Sequence, residues 1–340
     1  MNRLNLLLLA SLFTHGCGGA LISNQQELEI GAGVHKQLKK EYRLVDSRDP
    51  VAKWAKEFVR PLQKASAKFR NPKDVKGYKV AVIADKKLVN AFAAPGGYTY
   101  LSTGLILQSK DCAEIAGVMG HELAHVTQRH GAKSIEKAFA VEQIITFFLS
   151  DGLAAGSATL IWQFLSSTTF SRDDESEADR VGLQISHNAG YDPHGLADFF
   201  GVLLKGEKGG GAPEFLSSHP ATKGRIASVN RQIRSRYGKK AKVAGKRKRK
   251  CRTSMSLAAV KAHIKSGKMK LGPAVTTKRT KKADAIRSWK AAVKRHKAKR
   301  VKKKVKKRSA KKKSSKKKTT KKTTKKTTKK TTKKTTKKTK

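Results

Sequence analysis

The side chains best arranged to do chemistry lie in one five-residue segment, His121-Glu122-Leu123-Ala124-His125. Positions four apart share one face of a helix, so both imidazoles can bind a single metal ion with Glu122 beside them. Neutral imidazole is a good zinc ligand, and a site with three protein ligands leaves a position open for water. The motif therefore predicts one zinc ion per chain and hydrolysis with Glu122 as the general base on the zinc-bound water.

A third metal ligand is needed, and the acidic segment 175–179 offers the best candidate. Glu175 lies 50 residues after His125. On a helix Asp179 shares a face with Glu175, where it could accept a hydrogen bond from the free N–H of a metal-bound histidine. Three histidines compete with Glu175 for the ligand role: His187, His194 and His219.

The helix that carries the motif is predicted to begin at Asp111, which can cap exposed backbone N–H groups. Ala116, Gly120 and Ala124 recur every four residues, a small-residue stripe that would let another element approach closely. Two further helices are expected over residues 24–70, and strands over residues 78–107. The pattern indicates an α+β fold, mostly helical with a small antiparallel sheet.

Residues 138–165 are strongly apolar, with only Glu142 and Asp151 interrupting the run. A helical lid or plug lying against the site is our interpretation of this segment. A membrane contact or span is the alternative.

Several short motifs occur along the chain in the order that one known family shows. They are Asn90-Ala91-Phe92, Pro95-Gly96-Gly97, Ser102-Thr103-Gly104-Leu105, His121 to His125, Ser171-Arg172, Glu175 to Asp179, and His219-Pro220 with Arg225-Ile226. Across roughly residues 24–236 the chain resembles the gluzincin zinc metallopeptidases, which include the type-one CAAX prenyl protease, HtpX and periplasmic beta-barrel assembly-enhancing proteases. It looks closer to the soluble, exported branch, since it lacks clear transmembrane helices.

The resemblance implies a zincin-like domain and assigns further roles to individual residues. Glu175 would be the third zinc ligand and Asp179 its supporting partner. His219 and Arg225 would stabilise the oxyanion, or His219 would occupy the open zinc position in a resting state. The strand containing Asn90, Ala91, Gly96 and Gly97 would be the edge that pairs with an extended substrate backbone.

The positive charge is concentrated in the C-terminal part of the chain. The formal net charge is +53, and residues 239–340 hold 47 of the 77 Lys and Arg residues against one acid, Asp284. A Thr-Thr-Lys-Lys repeat at 319–339 is low in complexity and cannot bury a core. We predict a disordered basic tail that binds anionic envelope polymers or lipids, with nucleic acid as the partner only if the protein is not exported. A solvated tail without a specific partner is the alternative.

Residues 1–16 are typical of an export signal: Arg3 is followed by an apolar run and by small residues before Cys17. The segment resembles a bacterial lipoprotein signal, which implies lipidation of Cys17 and anchoring at the outer membrane. The other two cysteines, Cys112 and Cys251, could form one disulfide in an oxidising compartment, although their spacing does not argue for it. We expect a periplasmic or cell-envelope protein.

Together these features predict a metallopeptidase domain at 17–238 and a basic tail at 239–340. The expected activity is zinc-dependent endopeptidase cleavage of unfolded or misassembled envelope proteins, without an organic cofactor. The alternative is a polyanion-binding or chaperone-like client-binding protein in which the tail is the main functional element.

Overall fold

A computed structural model describes residues 21–138, 155–207, 214–220, 223–238 and 249–277, together with positions 284, 287 and 291. The elements named below belong to a compact unit that ends at Ala285. Its helices are α1 Asn24–Glu41, α2 Pro50–Ser66, α3 Thr103–Gln108, α4 Cys112–Thr127, α5 His130–Ala138, α6 Ala155–Ser167, α7 Arg172–Asn188, α8 Gly195–Glu207, α9 Glu214–Ser218, α10 Lys223–Tyr237 and α11 Leu257–Lys265. The strands are β1 Lys79–Ile83, β2 Ala91–Ala94 and β3 Tyr98–Ser102. The predicted α+β class with a mostly helical composition is confirmed.

The three strands form a mixed sheet in the order β1-β3-β2, whereas an antiparallel sheet was expected. β2 and β3 pair antiparallel, with Ala91 opposite Leu101. β1 pairs with β3 in parallel, with Lys79 opposite Tyr98. The direction differs because β3 returns from the turn after β2 and inserts between the two earlier strands. Alternation of side chains along a strand carries no information about the direction of its partner.

Helix α4 lies at the centre of the domain, and all of its side chains are buried. Asp111 caps it as predicted, accepting hydrogen bonds from the backbone N–H groups of Ala113 and Glu114 at 2.9 and 3.1 Å. The small-residue stripe also has its predicted effect. A Cβ atom on Gly120 would lie 2.7 Å from the carbonyl oxygen of Gly182 in α7, so only glycine permits this approach of the two helices.

Residues 249–277, which belong to the predicted basic tail at 239–340, pack against the domain. Helix α11 begins after Ser256, which caps it, and buries Val260 and Ile264 completely. Cys251 forms a disulfide with Cys112 at the start of α4. Val260 and Ile264 are four residues apart, so one helical face is apolar despite the surrounding lysines. Apart from three single positions, residues 278–340 lie outside the described part of the chain.

Arg249 forms a second link between this segment and the domain. Its guanidinium makes ion pairs with Asp111 at 2.7 Å, Asp192 at 3.0 Å and Asp198 at 2.5 Å. Asp111 caps α4, so the disulfide and these ion pairs meet at the N-terminus of the same helix.

Reduction of the Cys112–Cys251 disulfide is expected to lower the free energy of unfolding by about 2–5 kcal/mol. The bond links residues 139 positions apart and therefore restricts a long loop in the unfolded chain. Denaturant unfolding with and without a thiol reductant measures the difference. A Cys112→Ser/Cys251→Ser double variant is the control and should not respond to reductant. An unchanged midpoint in wild-type protein whose thiols titrate as free would contradict this expectation.

Most of the described part of the apolar segment 138–165 lies in helix α6, which packs beside α1. The indole N–H of Trp162 donates a hydrogen bond to Glu41 at 2.8 Å, and its ring meets that of Tyr42 edge-on. The helices of the described residues do not include one with the length and apolar character of a membrane span. Residues 139–154 of the predicted lid lie outside the described residues.

Candidate metal centre

Helix α4 brings the two histidines of the motif to one point. His121 and His125 are 0% and 2% exposed, and their Nε2 atoms lie 3.1 Å apart. Burial lowers the pKa of both imidazoles, so the neutral forms with one free lone pair are favoured.

Helix α7 supplies the carboxylates. A capping box between Ser171 and Asp174 begins the helix, and the glycine contact with α4 holds it close. Glu175 lies 3.6 Å from Nε2 of both His121 and His125. One helical turn further on, Asp179 Oδ1 lies 3.1 Å from His121 Nδ1. The contact with Asp179 orients the His121 ring so that its Nε2 atom faces His125 and Glu175.

His219 follows α9 and joins the same cluster. Its Nδ1 atom lies 2.8 Å from Glu175 Oε1 and 3.3 Å from His121 Nε2. The other two histidines considered as ligands lie elsewhere: His187 stacks on Tyr237, and His194 Nδ1 contacts Asp192 at 2.9 Å.

The donor atoms of this cluster fit a divalent metal ion. His121, His125, Glu175 and His219 each offer one ligand atom, and these atoms all lie within 4.8 Å of one another. The Nε2 atoms of His121 and His125 lie 3.1 Å apart, a separation that allows both to bind the same metal ion. Two neutral imidazoles with a carboxylate are a donor set typical of zinc. The cluster can therefore bind a zinc ion, as the sequence predicts.

Glu122 lies beside the cluster and is 1% exposed. Burial raises its pKa to about 7, and the neighbouring charge of Glu175 acts in the same direction. Its carboxylate accepts a hydrogen bond from the backbone N–H of Ala93 in β2. The Oε1 atom is buried without a hydrogen-bond partner among the described residues, 3.6 Å from His219 Nε2. This oxygen is therefore available to accept a proton.

His219 differs electrostatically from the two motif histidines. Burial alone would lower its pKa, but the charges of Glu175 and Glu122 raise it above the ordinary value. The contact with His219 in turn helps to keep the pKa of Glu175 below its ordinary value, although that carboxyl group is buried.

Arg225 lies behind the carboxylates. It donates to both oxygens of Asp179 at 2.7 and 2.9 Å, contacts Glu175 Oε2 at 2.7 Å and donates to the Pro220 carbonyl at 2.9 Å. Its guanidinium also lies over the Phe200 ring, 4.6 Å from the centroid. These contacts hold the Arg225 guanidinium against both carboxylates. The oxyanion role that the family resemblance implies for Arg225 stays a prediction.

The cluster opens into a cleft that runs along β2. Glu122, His219 and Asn90 line it, and β2, which contains Ala91, is one of the two outer strands of the sheet. Gly96 and Gly97, predicted as part of this edge, instead form the turn between β2 and β3. Their φ angles are +73° and +84°, and Gly96 packs on the backbone of α1. Glycine is needed at these two positions for the turn and the close approach.

His130 is a site residue that sequence reasoning missed. It is fully buried, its Nδ1 atom lies 2.9 Å from His125 Nδ1, and its Nε2 atom lies 3.3 Å from Glu177 Oε2. If Nε2 of His125 binds metal, its Nδ1–H donates to His130, and the remaining N–H of His130 donates to Glu177. A spacing of five does not place two residues on one helical face, so periodicity does not predict this pair. The helix ends between them, at Thr127, and Arg129 then adopts a left-handed conformation with φ +60°.

Replacing His130 by Leu is expected to weaken zinc binding by about 10- to 100-fold, because His125 loses the acceptor that orients its ring. Zinc competition with a fluorescent chelator measures this change. His130→Gln should restore part of the affinity, since its amide can accept from His125 and donate to Glu177. His187→Leu serves as the control histidine outside the cluster. Equal zinc affinity in wild type and His130→Leu would rule out the positioning role.

The second residue missed is Phe170. Its ring stacks on His125 with 4.2 Å between centroids and on His219 with 5.7 Å. It thereby covers one side of the cluster with an apolar surface. An isolated phenylalanine after a Ser-Thr-Thr segment carries no sequence signal for this contact.

A buried His-Glu-x-x-His helix that faces a glutamate on a second helix defines a metallopeptidase of the zincin type. Peptidase family M48 matches residues 52–233, which is more than half of the chain. The chain belongs to this family, and the predicted gluzincin relationship is confirmed.

Individual relatives agree with this assignment. The beta-barrel assembly-enhancing protease of Escherichia coli strain K12 is 29% identical over 223 residues, which cover 62% of this chain and 44% of that protein. The mitochondrial metalloendopeptidase OMA1 of Arabidopsis thaliana is 32% identical over 214 residues, covering 58% and 43%. The protein of the same name in Schizosaccharomyces pombe is 28% identical over 212 residues, covering 61% of each chain. The chain thus spans less than half the length of the first two.

The predicted lipidation site, Cys17, lies outside the described residues.

Proposed function

We propose that this protein is a zinc-dependent endopeptidase that cleaves protein substrates. One observation carries the proposal: four side chains that can bind a metal offer ligand atoms within 4.8 Å of one another, and one of them, His219, lines a cleft together with Glu122. The cleft runs along an outer strand, so an extended polypeptide can add to the sheet edge and pass the metal site.

In this proposal His121, His125 and Glu175 hold the metal, and Asp179 and Arg225 keep the ligands oriented. When bound, zinc supplies a positive charge that polarises the scissile carbonyl and lowers the pKa of a coordinated water. Glu122 takes a proton from the attacking water and delivers it to the nitrogen of the leaving amine. The contact between His219 and Glu175 supports a resting state in which His219 fills the open ligand position.

Proteins of the cell envelope are the proposed substrates, in quality control or processing. The similarity to the beta-barrel assembly-enhancing protease of Escherichia coli supports this proposal. The Cys112–Cys251 disulfide supports an oxidising compartment, where such bonds persist. The export-type segment before Cys17 agrees with this location. Cell fractionation and the mass of the mature N-terminus test it, and a retained, unmodified Met1 would contradict export and lipidation.

The C-terminal part contributes a second proposed property, binding of anionic envelope polymers or lipids. Residues 278–340 contain many Lys and Arg residues and one acid, Asp284. Such a segment binds polyanions with an affinity that falls steeply as salt rises. Sedimentation of the protein with anionic and with neutral vesicles at low and high salt tests this property. Equal sedimentation with both vesicle types would contradict it.

The peptidase proposal is tested by metal analysis of the purified protein and by digestion of denatured casein. We expect about one zinc ion per chain and cleavage that stops with a chelator and returns when zinc is added. Chelator-resistant cleavage, or none at all in zinc-loaded protein, would overturn the proposal and favour a client-binding protein.

A further inference from the structure

Three aromatic rings form one wall of the cleft beside Glu122. Tyr42 follows α1, Phe92 lies in β2 and Trp162 lies in α6, so three separate parts of the chain contribute. Their ring centroids are 6.0 to 6.4 Å apart in each pair. Val34 and Leu165 also line this cleft. The wall lies beside the metal centre, because Glu122 and His219 line the same cleft. Ala93, the residue after Phe92 in β2, donates its backbone N–H to the Glu122 carboxylate.

The indole nitrogen of Trp162 has a hydrogen-bond partner outside the aromatic wall. Trp162 donates its N–H to Glu41 at 2.8 Å, which leaves the ring carbons to form the surface. Trp162 is 4% exposed and Tyr42 is 9% exposed, so packing against neighbouring side chains fixes the positions of these two rings. A rigid surface of ring carbons favours contact with an apolar group, because the contact removes apolar surface of both from water.

We propose that this aromatic wall binds a large apolar side chain of the substrate, such as Phe, Leu, Met or Trp, next to the bond that is cleaved. The inference rests on the proposed peptidase function and specifies its substrate class. A substrate strand paired with β2 directs alternate side chains to the same face, so the wall receives one of them while its neighbouring peptide bond lies at Glu122. Unfolded proteins expose such side chains and folded proteins bury them. The wall therefore favours unfolded segments as substrates.

The test begins with the full-length, zinc-loaded protein and denatured casein. Mass spectrometry of the new termini identifies the bonds that are cut, and a peptide around one of them is then varied on either side of the bond. We expect large apolar residues at one fixed position. Replacing that residue by Ala should lower kcat/KM about 10- to 100-fold.

Variants of the wall connect this preference to the structure. Trp162→Ala should reduce the preference for Phe over Ala at that position, whereas Tyr237→Ala, an aromatic outside the cleft, should not change it. Leu165→Glu should shift cleavage toward Lys and Arg at the same position, a new specificity that a misfolded variant cannot produce. Chelator-sensitive cleavage without enrichment of apolar residues, or a preference that Trp162→Ala leaves unchanged, overturns the proposal but not the peptidase function.

A binding measurement separates the two proposals if no cleavage is seen. The zinc-loaded Glu122→Gln variant should bind the Phe-containing peptide at least about tenfold more tightly than its Ala counterpart. Adding Trp162→Ala should reduce this difference. Equal binding of both peptides overturns the aromatic subsite, whatever the outcome of the cleavage assay.

Discussion

Replacing Glu122 by Gln is expected to reduce proteolysis by at least about 100-fold, and up to about 10⁴-fold, while leaving zinc bound. Glutamine has nearly the same shape but cannot accept and return a proton at neutral pH. The buried Oε1 atom of Glu122 has no hydrogen-bond partner among the residues described, so the substitution removes proton transfer without breaking a hydrogen bond made by that atom. Rates on casein or a fluorogenic peptide, with zinc content measured in parallel, provide the test.

Glu114→Gln is the matched control for this variant. Glu114 is the other buried glutamate of α4, and it accepts a hydrogen bond from the Lys110 backbone N–H at 2.7 Å, which a glutamine oxygen can still accept. Full activity is expected in the control. Wild-type activity in Glu122→Gln would show that Glu122 is not the base.

Replacing Glu175 by Gln is expected to weaken zinc binding by more than the 10- to 100-fold typical of outer partners of a metal site. A neutral amide is a poor zinc ligand, and the change also leaves Arg225, 2.7 Å away, without one of its anionic partners. Activity should fall to background at limiting zinc. Zinc titration of the metal-free protein gives the dissociation constant, and the rate is measured at each zinc concentration.

Asp173→Asn is the control for this second variant, because Asp173 is an exposed acid in the first turn of the same helix. It should bind zinc like the wild type. A Glu175→Gln protein with unaltered zinc affinity would remove Glu175 from the ligand set, and His219 would become the third ligand to test.

Local sequence patterns predicted the helix of the metal site well. The His121–His125 spacing, the Asp111 cap and the small-residue stripe each depend on residues within one helix, where a period of 3.6 decides which side chains share a face. Glu175 required more than periodicity. A zinc site that activates water needs a third protein ligand, and the family resemblance selected Glu175 among several candidates. The structure places it through the contact between Gly120 and Gly182.

Features that depend on contacts distant in the chain were not predicted. The parallel pairing of β1 with β3, the His125–His130 contact and the carboxylate partners of Arg225 all depend on how separate elements meet. The packing of residues 249–277 was missed because average composition concealed the short apolar stripe of Val260 and Ile264.

Residue types and their spacing therefore indicate which chemistry is possible: a metal-binding pair, a base and an acidic partner segment. Tertiary structure decided which donors converge, which strand borders the cleft and which aromatic rings form its wall. The reason is physical. Helical periodicity and capping act over a few residues and are visible in the sequence, whereas a metal site depends on distances of a few ångströms between groups up to about a hundred residues apart. Close packing alone sets those distances.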